Sequence, residues 1–190
     1  TRQTPEFSLC GLNCCLCPRY RTDGVSRCPG CGGEDFYVKH PTCAIITCSM
    51  KHDGVSYCFQ CKDYPCGRYH RTNDKDSFIT YLHVPSDMDA ARRDGLEFYL
   101  KDLSRKSEIL DTLLEKWDNG RLKSFFCLAV NLLPLSDLQT AMATLESVKN
   151  QMEPDAVTNS IPAHTNPGNL AKDTFHQIAV ARGIELELRR

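Results

Sequence analysis

A chain of 190 residues, 41% hydrophobic and 25% charged, has the material for one or two packed domains. Its formal net charge of −1 gives no global pull towards nucleic acid, and metal-bound thiolates would make its cysteine-rich part more negative still. No apolar run is long enough to span a bilayer and no charged-then-apolar export signal precedes Cys10, so no membrane partner is expected and the expected location is cytoplasmic.

Eleven of the twelve cysteines lie between Cys10 and Cys66. After a polar lead-in from Thr1 to Leu9, Cys14, Cys17, Cys28 and Cys31 spell C-x2-C-x10-C-x2-C. Two thiolates two residues apart can point from one tight turn at a single ion. Pro29 and Gly30 stiffen the second turn, and Gly32 and Gly33 let the backbone pass close behind the sulfurs, in the form of a zinc knuckle. A looser second quartet is Cys43, Cys48, Cys58 and Cys61, and Cys10 or Cys66 could substitute in either. Sequential pairing and a cross-brace are both open. Reducing cytosol would keep such thiols free for metal, which disfavours a disulfide framework. Asp53-Gly54 separates Ala44-Ile45-Ile46 from Val55-Ser56-Tyr57, which predicts a small hairpin. His40 and His52 lie within reach of the quartets but read as surface histidines, since ample thiols are at hand. Cys15, beside Cys14, reads as a packing residue.

Two other readings compete. Cys10-x3-Cys14-x2-Cys17 and Gly32-Gly33-Glu34 mimic radical S-adenosylmethionine enzymes, but no train of alternating strands and helices follows to build their barrel. A [4Fe–4S] cluster is the stronger alternative, because Cys17-Pro18 and Pro65-Cys66 place prolines beside ligands as ferredoxin-like sequences do.

The run Cys-Gly-Leu-x-Cys-x-x-Cys-Pro, then Cys-x-Gly-Cys, Cys-x4-Cys, Cys-x-x-Cys and Asp63-Tyr64-Pro65-Cys66 resembles the cysteine-rich domain-of-unknown-function family numbered 3795. The resemblance covers roughly residues 10–70 and takes in Cys10, Cys14, Cys17, Cys28, Cys31, Cys43, Cys48, Cys58, Cys61 and Cys66. Similarity to longer members extends over Asp118 to Leu133. The family carries no established activity, so the resemblance sharpens the metal-binding expectation and leaves the role open.

Arg68, His70 and Arg71 precede a polar linker and read as a solvated junction. Phe78 to Val84 is a short apolar segment, helix or strand, that Pro85 is expected to stop. Leu96, Leu100, Leu103, Leu110, Leu114 and Trp117 share one stripe, predicting one long or two abutting helices over 88–117, ended at Asn119-Gly120. Leu122 to Leu133, apolar nearly all round, predicts a buried helix stopped by Pro134 and holding Cys127 as a buried free thiol. Ser136-x-x-Gln139 predicts a capping-box start for a helix with Leu138, Met142, Leu145 and Val148 on one face. Residues 154–169 read as a loop in which His164 is the residue to watch. Leu170 to Arg182 predicts a last helix capped by Gly183, and the alternation of Ile184, Leu186 and Leu188 with charged residues predicts a terminal strand over 184–189.

The expected fold is therefore α+β: a small irregular, zinc-ribbon or knuckle-like cysteine-rich domain over 1–70, then a mainly helical domain over 71–190 with a C-terminal strand. The expected function is a zinc-binding structural or protein-interaction module, holding about two Zn2+ ions on the ten cysteines named above, with an iron–sulfur protein in electron transfer or redox catalysis as the alternative. Another protein is the expected partner. No hydrolase, P-loop or metalloprotease motif supports an enzyme.

Overall fold

Residues 1–70 lack apolar runs long enough for extended helices, and they fold around their cysteines as short turns. In the computed structural model, which describes residues 1–40, 42–70, 75–152 and 166–189, they form three short helices, Phe36–Lys39 (α1), Ala44–Met50 (α2) and Gly67–His70 (α3). Two 3-10 turns, Cys14–Leu16 and Cys58–Gln60, join them. The hairpin expected across Asp53-Gly54 does not form. A strand would put Ile45 and Ile46 on opposite faces, whereas α2 buries both together with Ser49 on one side.

Five longer helices follow: Val84–Arg93 (α4), Leu96–Lys116 (α5), Lys123–Leu132 (α6), Leu135–Met152 (α7) and Pro167–Arg182 (α8). Pro85 does not stop a segment. It sits in the first turn of α4, where its missing N–H costs no hydrogen bond. The segment 88–117 is two abutting helices, parted at Gly95, whose φ of 102° ends the helical path, and the stripe from Leu96 to Trp117 belongs to the second. Pro134 stops α6 as expected, but α7 starts directly after it, so Ser136 lies inside the first turn instead of capping it. Asn166 caps α8, its Oδ1 accepting from the Gly168 N–H at 2.9 Å, and Gly183 closes it in the left-handed conformation at φ 65°. Of the loop expected over 154–169, residues 154–165, His164 among them, lie outside the described residues.

The α+β class and its C-terminal strand are corrected: the fold is helical, and no strand or sheet forms among the described residues beyond one isolated bridge between Phe7 and Asn13. A terminal strand over 184–189 would need a partner edge, and the segment it lies against, near Phe78 to Tyr81, offers none. Tyr81 donates its N–H to Asp76 Oδ1 at 2.8 Å and Ser77 donates to the Ile79 carbonyl at 3.2 Å, so residues 76–81 curl on themselves and offer no extended edge. The terminal segment does return there, held by the Asp76 carboxylate, which accepts from the Arg189 backbone N–H and guanidinium, both at 2.8 Å. Burial alone would raise the Asp76 carboxyl; the hydrogen bonds from Arg189 and Tyr81 outweigh it and hold the group below its ordinary value.

Helix α5 packs on α4, α6 and α7, and α8 lies against α6 and α7. The apolar cluster between them includes Leu110, Leu113, Phe126, Val130, Leu138, Leu145 and Phe175, and it continues into the cysteine-rich layer through Phe7, Leu16, Tyr57 and Tyr69. The turn Cys14–Leu16 packs on α5 and α6, and Cys58–Gln60 on α4. No helix among the described residues is long and apolar enough to cross a membrane.

Candidate metal centre

Two of the three C-x-x-C turns are built alike. Cys17 donates its N–H to the Cys14 carbonyl and Tyr20 to that of Cys17, each at 3.0 Å; Cys61 donates to Cys58 at 3.0 Å and Tyr64 to Cys61 at 3.1 Å. The two turns thus share a Cys-x-x-Cys-x-x-Tyr pattern of backbone hydrogen bonds. Cys58 also donates its N–H to the Leu9 carbonyl at 2.8 Å, which sets the second turn beside Cys10. The turn carrying Cys28 and Cys31 is fixed by backbone against backbone. Gly30, at φ 79°, lies where a Cβ would come within 2.4 Å of the Pro5 carbonyl oxygen, and a Cβ on Gly33 would come within 2.2 Å of the Pro29 carbonyl oxygen. Cys31 N–H bonds that same Pro5 oxygen at 2.9 Å.

All twelve cysteines are free thiols. Burial pushes the Cys14 thiol well up, and Cys31, Cys10 and Cys17, in that order, add like-charge repulsion. Burial raises Cys31 to about 11, with Cys10 and Cys43 contributing, and it raises Cys10, on which Cys43 acts in the same sense. Cys10, Cys14, Cys31 and Cys43 therefore form one mutually interacting group, resting on the small apolar cluster of Leu9, Phe36, Ile45 and Ile46. Burial pushes Cys58 up to about 12, and its further causes are Cys10, Cys66, Cys48 and Cys61. Cys48, Cys58, Cys61 and Cys66 line one hollow of about 30 Å³ with His52 and Arg68. Cys17, raised first by burial, has Cys28 as its neighbouring thiol, and both line an adjacent cleft with Cys14 and His40.

Cys14 has Cys31, Cys10 and Cys17 as neighbouring thiols, while Cys43, at the start of α2, acts on Cys10 and Cys31, and Cys48, within α2, acts on Cys58. Cys15 is 3% exposed and Cys127 2%; both belong to the apolar core, and burial raises each thiol to about 12. His40 stacks on Phe36 with ring centroids 4.6 Å apart. Arg71 lies outside the described residues.

Sequence reasoning read one residue, His52, as a surface histidine and missed a buried polar cluster altogether. His52, four residues after Cys48 at the end of α2, donates from Nδ1 to the Cys48 carbonyl at 2.8 Å and lies 3.6 Å from the Cys48 sulfur. The i to i+4 spacing was the available signal. Beneath the thiols, Asn13 is buried and donates to Asp87 Oδ2 at 2.8 Å and Asn131 Oδ1 at 3.0 Å, while accepting from Tyr99 Oη at 2.7 Å. His83 Nε2 lies 3.3 Å from Asp87 Oδ2 without the alignment of a hydrogen bond. Burial holds His83 down at about 3 and lifts Asp87 to about 6. No local pattern marks residues so far apart in the chain.

Residues 6–71 match the model of a family described as a protein of unknown function (DUF3795), so the cysteine-rich layer, about a third of the chain, resembles that family. No curated protein matches the chain, and no solved structure does.

Proposed function

We propose that the cysteine-rich layer is a zinc-binding element holding about two ions, one on Cys10, Cys14, Cys31 and Cys43 and one on Cys48, Cys58, Cys61 and Cys66. The observation that carries this reading is the hollow of about 30 Å³, lined by four thiols from three chain segments. A space of that size suits a single ion or water. The donor chemistry fits: buried neutral thiols that repel one another once charged are stabilised as thiolates by a divalent cation. Four thiolates close a tetrahedral zinc, which then contributes folding energy and leaves no position for substrate. The protein then serves as a metal-stabilised structural or protein-interaction module in a reducing, cytoplasmic setting, and Tyr37, Val38 and Met50, exposed on α1 and α2, offer a surface to a protein partner.

Elemental analysis with a visible spectrum, on protein purified without oxygen, tests it. About two zinc per chain in colourless protein is the expected result. Several irons with acid-labile sulfide in brown protein would replace zinc by iron–sulfur clusters on the same thiols.

A further inference from the structure

We infer that His52, Cys61 and Asp63 form an open divalent-cation site at the rim of the thiol-lined hollow, with the single Cys61 sulfur bridging this ion and the inner four-thiol group. One ligand atom from each lies within 4.8 Å of the other two. The imidazole is already oriented for the task. Its Nδ1 gives its proton to the Cys48 carbonyl at 2.8 Å, which leaves Nε2 as the nitrogen with a lone pair. Nε2 faces Asp63 Oδ2 at 3.5 Å. A histidine that donates from one ring nitrogen to a backbone carbonyl while the other faces further donors has the arrangement of a metal-binding imidazole.

Local structure explains the convergence. The His52 N–H returns to the Ser49 carbonyl at 2.9 Å, extending α2 by a turn and bringing the ring over Cys48. The turn closed from Tyr64 to Cys61 carries Asp63 on its outer side. The side chains of His52 and Asp63 are 36% and 54% exposed, so an ion reaches them directly from solvent.

One nitrogen, one sulfur and one carboxylate oxygen select a borderline divalent metal such as zinc over magnesium or calcium, which prefer oxygen throughout. Three protein donors leave a position to water, unlike a closed four-thiolate centre. Cys61 also lines the hollow with Cys48, Cys58 and Cys66, so the rim site is placed to pass an ion to or from the buried group. That transfer role rests on the zinc reading; the three-donor site itself does not.

The full chain, in reducing buffer and dialysed against chelator to leave only tightly held metal, is titrated with Co2+, with bound metal counted and visible spectra recorded. Wild type should take up one further, weakly held ion with a thiolate-to-cobalt band. His52→Ala and Asp63→Asn, both at exposed side chains, should each weaken that uptake about tenfold or more with tightly held metal unchanged. Wild type taking no further ion, or both variants binding it as wild type does, overturns the site. A chain with no tightly held metal defeats the two-centre reading instead, and there a His52-dependent uptake of Co2+ would still support the rim site and its absence would overturn it.

Discussion

Cys58 opens its C-x-x-C turn and Cys17 closes its own, and the two thiols have different surroundings. Cys58 has Cys10, Cys66, Cys48 and Cys61 around it, whereas Cys17, whose sulfur accepts from the Arg19 and Tyr20 N–H groups, has Cys28 as a neighbouring thiol in the cleft they share with Cys14. Elemental analysis of Cys58→Ser should show about one zinc lost per chain, while Cys17→Ser should retain about two. Equal loss in both would return Cys17 and Cys28 to the ligand set and restore a quartet read from spacing alone. The buried pair under the thiols makes a second prediction. His83, held at about 3 against 6.5 when unfolded, makes stability fall as pH drops from 6.5 towards 3, because only the unfolded chain takes the proton. Asp87, lifted to about 6 from 3.8, acts in the opposite sense, adding stability as pH falls from about 6 to 3.8. In wild type the two largely offset each other. Urea unfolding across that window should therefore show Asp87→Asn losing more stability on acidification than wild type, and His83→Leu losing less or gaining; parallel slopes in all three would refute the assignment.

Helices were legible in the chain because burial on one side imposes a 3.6-residue period that sequence records directly. The stripe from Leu96 to Trp117 and the apolar run from Leu122 to Leu133 became α5 and α6 for that reason. The terminal alternation had the same kind of signal and misled, since a strand needs a partner edge and Asp76 draws residues 76–81 into a curl. Thiol grouping was illegible for a related reason: spacing fixes which sulfurs share a turn, but backbone contacts between distant segments, Cys31 to Pro5 and Cys58 to Leu9, decide which turns face each other. The turn at Gly30 is where this can be tested. Gly30→Ala puts a methyl against the Pro5 carbonyl at a positive φ, so it should misplace Cys31 and lower zinc content by about one per chain, read by elemental analysis. Asn166→Ala, at the start of α8 and remote from the thiols, should cost about 1 kcal/mol in denaturant unfolding and leave the metal content unchanged.

At the scale of the whole molecule, the cysteine-rich layer and the helices share apolar and polar contacts, so on the proposed zinc reading metal removal should have consequences beyond the thiols. Phe7, Leu16, Tyr57 and Tyr69 belong to the same buried cluster as the side chains of α4 to α8. Asn13, one residue before Cys14, joins Asp87, Tyr99 and Asn131 on three helices. Arg21 donates to the Cys15 carbonyl at 2.6 Å and also bonds Ser107 and Asp111 on α5. If a strong chelator under reducing conditions releases the metal, the short turns lose the constraint that holds them, and these contacts loosen with them. Helices α5 to α8 keep their own packing and should remain helical at room temperature. Their thermal midpoint should nevertheless fall, because Phe7 and Leu16 no longer cover α5 and α6. Far-UV circular dichroism should then show most of the helical signal retained after chelation, with a transition several degrees lower that returns on adding zinc. A midpoint indifferent to chelation, in protein shown to have lost its metal, would mean that the helices do not depend on the metal-held layer for their stability.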